Sequence, residues 1–173
     1  NLPGLMGFVQ YCAYNLAETV RLYGGSLVEK TAAEAALALI AGMEKVIIKT
    51  LKDYGYHAPL PFKELIRLPE QSHTIGMGCK RGEGWLLTGE MVDLIDDGVE
   101  NIICMQPFAC LPNHVTGKGM MKALRKRNPM ANIAAIDYDP GASDVNQLNR
   151  IKLMMATAHK NLAKKEAEEQ NAE

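Results

Sequence analysis

Four cysteines, Cys12, Cys79, Cys104 and Cys110, are the residues best suited to redox or metal chemistry. Four thiols in 173 residues are too sparse for a disulfide scaffold, so reduced cysteines and a cytoplasmic setting are expected. The plainest reading of each is a small buried apolar side chain. Cys104 fits that reading, since it falls inside an Ile-rich run. Cys110 does not. It lies between Pro107 and Pro112, just ahead of a helical pattern. The positive end of a helix dipole stabilises a thiolate there, the form that attacks electrophiles and ligates metals. His114, four residues on, is either a second ligand or a cap for that helix. The spacing of Cys104 and Cys110 is not that of a zinc ribbon.

Three further clusters could contact a ligand. Asp137 and Asp139 flank Tyr138 where a strand is expected to end. Alternate strand residues point the same way, so both carboxylates can face one pocket. The alternative makes Asp139 a turn former before Pro140 and ties Asp137 to nearby backbone. Asn146, Gln147, Asn149 and Arg150 form a polar patch, with Arg150 placed to pair with Asp137 or with an anionic ligand. The segment Gly78–Gly84 has the spacing Gly-x-x-x-Gly-x-Gly, which is neither a dinucleotide fingerprint nor a P-loop. Its backbone N–H groups, with Lys80, Gly82 and Gly84, could still meet a phosphate at a helix start. A plain turn is the alternative. Val115–Gly119 contains a Gly-Lys pair without the upstream glycine of a P-loop, so Gly117 and Gly119 are expected to serve close helix packing.

The elements that would position these residues follow from periodicity and punctuation. Residues 4–23 read as a helix stopped by Gly24-Gly25. Ser26 caps a longer helix to about Tyr54, with Ala36, Ile40, Met43, Ile47 and Leu51 on one face. Pro59, Pro61 and Pro69 mark a connector with a short helix near Phe62–Leu68. Beyond it, strands are expected at Thr74–Met77, Val99–Met105 and Asn132–Tyr138. Helices are expected at Trp85–Asp97, His114–Arg127 and after the Asp139-Pro140-Gly141 turn, with Leu148, Ile151, Met155, Ala158 and Leu162 on the last one's apolar face. This alternation predicts an α/β fold: a small parallel Rossmann- or flavodoxin-like three-layer sheet preceded by an N-terminal helical segment. The expected organisation is a helical segment over 1–70, the α/β domain over 71–163 and a charged tail over 164–173. In open parallel sheets ligands bind outside the carboxyl ends of the strands. That rule sends Cys79, the Gln106–His114 loop and the Asp137–Asp139 turn to one rim.

At these residues the chain resembles one family. The runs Gly82-Glu83-Gly84-Trp85-Leu86-Leu87-Thr88-Gly89-Glu90-Met91-Val92 and Gln106-Pro107-Phe108-Ala109-Cys110-Leu111-Pro112-Asn113-His114-Val115 carry the likeness. So do Ala135-Ile136-Asp137-Tyr138-Asp139-Pro140-Gly141-Ala142-Ser143 and Asn146-Gln147-Leu148-Asn149-Arg150-Ile151-Lys152-Leu153-Met154. Together they are similar to the C-terminal region of the large acyl-CoA dehydratase activase-related proteins. Those are fusions of an ATPase activator with segments like 2-hydroxyglutaryl-CoA dehydratase subunits. The resemblance implies a piece of a longer parent, in keeping with the Asn1-Leu2-Pro3 start. It implies a [4Fe–4S] cluster, with Cys110 the best ligand, Cys12 next and Cys79 weaker, and the remaining ligands supplied from elsewhere. It implies an acyl-CoA near Asn113, His114, Asp137 and Arg150, with ATP used only in the parent's activator domain. Other domains of the parent chain are the expected partners.

Composition bounds the alternatives. Nineteen basic residues balance twenty acidic ones, so the basic excess of a nucleic-acid binder is missing. No apolar run approaches the roughly 20 residues of a membrane span, and no secretory signal is visible. An open sheet edge would invite a homodimer. A non-catalytic docking domain and a small-ligand or zinc-binding regulatory domain remain rival readings of the same residues.

Overall fold

The computed structural model describes residues 4–170. The chain divides into two compact units, Asn1–Ser72 and His73–Glu173.

The first unit is helical. Helix α1 (Leu5–Tyr23) ends at Gly24, whose N–H donates to the Val20 carbonyl. Helix α2 (Leu27–Asp53) starts where expected: Ser26 Oγ accepts from Glu29 N at 3.4 Å. Gly55 follows it with φ +74°, a conformation that favours glycine. The two helices form a hairpin around Tyr11, Ala17 and Ala33. Short helices α3 (Phe62–Leu65) and α4 (Leu68–Gln71) close the unit. The Phe62 N–H donates to Glu44 Oε1 at 3.0 Å, which ties the connector to α2. The expected apolar face of α2 is only partly used. Met43 and Ile47 stay exposed with Leu39 and Val46, because a partner helix covers one narrow side of a helix whose apolar residues spread wider.

The second unit corrects the expected three-layer sheet. Among the described residues there are two short parallel strands, and most of the rest is helical. Strand β1 (Asn101–Gln106) pairs in register with β2 (Asn132–Asp137), Asn101 opposite Asn132 and Gln106 opposite Asp137. The strand expected at Thr74–Met77 is irregular turn instead. Gly76 and Gly78 deprive that run of the side chains that pack a strand, and four residues give too little pairing to offset this.

Helix α5 (Gly84–Asp96) supplies the core with Trp85, Leu86, Met91, Val92 and Ile95, of which Trp85 is fully buried. Ile102 and Cys104 of β1, Leu124 of α6 (Met121–Arg127) and Ile133 and Ile136 of β2 are buried as well. The helix expected at His114–Arg127 opens instead as a π-helical turn, Asn113–Gly117, and a 3₁₀ turn, Lys118–Met120. Glycines explain the distortion. A Cβ at Gly117 would lie 2.9 Å from Cys104 Sγ, and one at Gly119 would lie 2.9 Å from the His114 carbonyl oxygen. Thr88 Oγ1 donates to the Thr116 carbonyl and locks this turn onto α5.

Helix α7 (Asp144–Gln170) packs on β2 and runs unbroken through the charged stretch after Lys164. Asn132 Nδ2 holds it by donating to the Met154 carbonyl at 2.8 Å, and Lys165 reaches Glu100 at 2.9 Å. In this register the odd residues of β2 turn their carbonyls away from β1. Each of those is taken: Ile133 by Arg125 Nη2, Ala135 by Arg150 Nη1 and Asp137 by Gln147 Nε2. The outer edge of β2 is therefore closed to another strand. On β1, Ile103 and Met105 are 42% and 59% exposed.

Candidate functional site

The carboxyl ends of both strands open into a cavity of about 620 Å³. Phe108, Asp137, Asp139, Ser143, Gln147 and Arg150 line it. That size lies within the range of small-molecule sites. Chain order dictates the placement. Parallel strands put both C-termini on one side, and the loops that follow must cross there.

The two carboxylates are held in place. Gln106 Nε2 donates to Asp137 Oδ1 at 2.6 Å, across the last pair of the strand register. The Phe108 N–H donates to Asp139 Oδ2, which binds the loop after β1 to the turn after β2. Each carboxylate thus keeps one oxygen uncommitted among these bonds. Arg150 lines the cavity while its Nη1 caps the Ala135 carbonyl at 2.9 Å. Of the two roles open to it, a pair with Asp137 or with an anionic ligand, the first is not formed among the described residues.

The cysteine loop runs along the cavity's edge. A turn closes Pro107–Cys110 through Cys110 N and the Pro107 carbonyl at 3.2 Å. Ala109 inside it has φ +57°, a strained conformation for a side-chain-bearing residue. Asn113, which is buried, donates from Nδ2 to Cys110 Sγ at 3.2 Å. Its Oδ1 lies 4.0 Å from Cys104 Sγ, so one amide spans two thiols. Burial pushes the Cys104 thiol above its ordinary pKa. His114 serves the backbone: its N–H donates to the Cys110 carbonyl, and its Nδ1 lies 2.9 Å from the same oxygen.

The glycine turn reaches this loop from the other side. Gly82 has φ +58°, and a Cβ there would lie 2.5 Å from Pro112 Cγ. Gly84, with φ +45°, starts α5, and Trp85 N donates to the Cys79 carbonyl at 2.7 Å. Cys79 is itself exposed. Lys80 Nζ is shielded from solvent and has no hydrogen-bonding partner among the described residues.

The sequence-expected residues therefore separate into groups. Gly82, Cys110, Asn113 and His114 share one loop junction, and Asp137 and Arg150 line the cavity beside it. Cys12 belongs to the first unit, exposed on α1. Among the described residues no three His, Cys, Asp or Glu side chains stand together as a metal-holding group. Sequence reasoning did not pick out Ser143 at the cavity wall, nor the half-buried acid Glu90. An acid set between Leu86 and Ile95, three residues before Asp93, was the signal for the latter. Alkylation should report the thiol order: Cys12 and Cys79 react in the native protein, while Cys104 reacts only on unfolding, read by mass spectrometry after iodoacetamide. Fast native labelling of Cys104 would contradict its burial.

No protein-family profile matches the chain, and no curated protein or solved structure matches it. Among the described residues no helix is long and apolar enough to cross a membrane.

Proposed function

We propose that the second unit is the acyl-CoA-holding rim of a CoA-linked iron–sulfur protein related to the 2-hydroxyacyl-CoA dehydratases. The observation that carries this reading is the cavity at the carboxyl ends of β1 and β2, bordered by the Cys110 loop. Phe108 lines the cavity and Cys110 follows two residues later, so a bound thioester would lie near that sulfur. Residues of this chain would bind and orient the substrate through Asp137, Asp139, Asn146 and Arg150. Asn113 would orient the Cys110 sulfur. In the parent, a [4Fe–4S] cluster would supply low-potential electrons to the thioester, with Cys110 as one ligand and the others contributed by further domains. Lys80, whose Nζ is shielded and has no partner among the described residues, would have to turn outward to meet a CoA phosphate beside Gly82 and Gly84. A cytoplasmic setting fits this oxygen-sensitive chemistry.

Calorimetric titration of the whole chain with acetyl-CoA tests the reading. Saturable heat that is lost in Arg150→Ala is the expected outcome, and no binding at millimolar acetyl-CoA would end it. Anaerobic reconstitution with iron and sulfide tests the sulfur. Iron retained by the parent protein should fall in Cys110→Ser, and unchanged iron would remove Cys110 as a ligand.

A docking role has its own supporting observation. Leu39, Met43 and Val46 form an exposed apolar stripe at helical spacing on α2. The open edge of β1 is the corresponding feature of the second unit, and a homodimer through a sheet edge would have to use it.

A further inference from the structure

A second opening runs along the outer edge of β2, an open groove of about 280 Å³ lined by β2, α6 and α7. Three cationic side chains reach it, Lys118, Arg125 and Arg150, and no acid is among the described residues that line it. The chain as a whole has a net charge of -1, so this positive excess is local. Like charges gathered without a counter-charge repel one another, and an anion entering the groove relieves that repulsion.

Two of the cations are fixed by the strand edge. Arg125 Nη2 donates to the Ile133 carbonyl at 2.7 Å, and Arg150 Nη1 to the Ala135 carbonyl at 2.9 Å. Carbonyls two residues apart on one strand edge lie about 7 Å from each other. The guanidiniums are therefore anchored side by side, and each keeps N–H donors beyond the one given to the backbone. Forked donors on two sides suit the oxygens of a phosphate. Lys118 adds a third charge from the 3₁₀ turn Lys118–Met120. Protection of the sheet edge explains the two arginines. It does not explain Lys118, whose ammonium has no ion-pair partner among the described residues. Met121 and Met154 supply apolar wall, where the organic part of a phosphate ester can rest.

We infer that this groove binds a dianionic phosphate group, that of a small phosphate ester or of free phosphate. The inference does not rest on the acyl-CoA reading. Arg150 lines both openings, whereas Lys118 and Arg125 line the groove and not the cavity at the strand ends.

Inorganic phosphate and phenyl phosphate are each titrated into the isotope-labelled whole chain at about pH 8, where both are dianionic. Chloride at matched ionic strength is the control, and amide shifts are followed by NMR. Both phosphates are expected to shift Met121, Arg125, Ala134 and Leu153 saturably, and chloride is expected to leave them unmoved. Tighter binding of phenyl phosphate would assign the groove to an ester, and equal binding would assign it to free phosphate. Lys118→Gln should weaken either phosphate about fivefold. Lys122 of α6 does not line the groove, so Lys122→Gln should leave binding unchanged. Equal losses in the two variants would reduce the effect to diffuse surface charge and overturn the site. Shifts that never saturate, or that chloride reproduces, would overturn it as well.

Discussion

Gly82→Ala is expected to destabilise the protein by about 2–5 kcal/mol. Two effects combine. The residue sits at φ +58°, where an L side chain strains the backbone by about 1–2 kcal/mol. The new Cβ would also lie 2.5 Å from Cγ and 3.0 Å from Cβ of Pro112. A proline ring has no flexible end to swing aside, so the loop must shift, at about 1–3 kcal/mol. Gly98 separates the two effects. It has φ +82° and open space where a methyl group would project, so Gly98→Ala should show the backbone part alone. Urea unfolding of both variants checks this. Equal losses would mean that the Gly82 turn does not press on the cysteine loop. A larger loss at Gly82, together with faster alkylation of Cys110, is the expected pair of results.

Glu90→Gln is expected to act in the other direction. The Glu90 carboxyl, ordinarily near 4.5, is pushed up to about 7. Burial is the main cause, and the like charges of Asp93 and Glu83 add to it. Between those two pH values the unfolded chain releases the proton while the folded chain keeps it. Stability therefore falls as pH rises from about 4.5 to about 7, and the full penalty is present above that. The shift corresponds to at most about 3 kcal/mol. Glutamine carries no such charge, so the variant should gain most at about pH 8 and little at about pH 4. Chemical denaturation at those two pH values reads the difference. An equal change at both would show that packing, rather than ionisation, governs this position.

The helices were legible in the sequence because their signals are local. Ser26 capped α2 as its type and position required, and Gly24 and Gly55 marked the ends of α1 and α2. Strands β1 and β2 were legible for the same reason, through β-branched runs bounded by turn residues. The third strand was not there to find. Thr74–Met77 has the length and partial apolar character of a strand, but only tertiary pairing decides whether such a run becomes one. The distortion at Asn113–Gly117 was half legible. Gly117 and Gly119 announced close packing, and the π-helical turn they permit depends on Cys104 and the His114 carbonyl, which sequence distance hides.

The candidate site divides in the same way. Asp137 and Asp139 were sent to one rim by strand alternation and by the carboxyl-end rule, and Arg150 was set on the first turns of the helix that follows. Their partners were not legible. Arg150 closes the edge of β2 instead of pairing with Asp137, because an unmatched strand carbonyl lay within its reach. Asn113 turned out to be a buried bridge between thiols, and His114 a partner of backbone.

The most direct test of the acyl-CoA rim is a crystal structure of the whole chain grown with acetyl-CoA. The account predicts density for acetyl-CoA between Phe108, Asp137 and Arg150, with the thioester near the Cys110 loop. Acetyl-CoA seated elsewhere on the protein, with this cavity empty at saturating concentration, would contradict it.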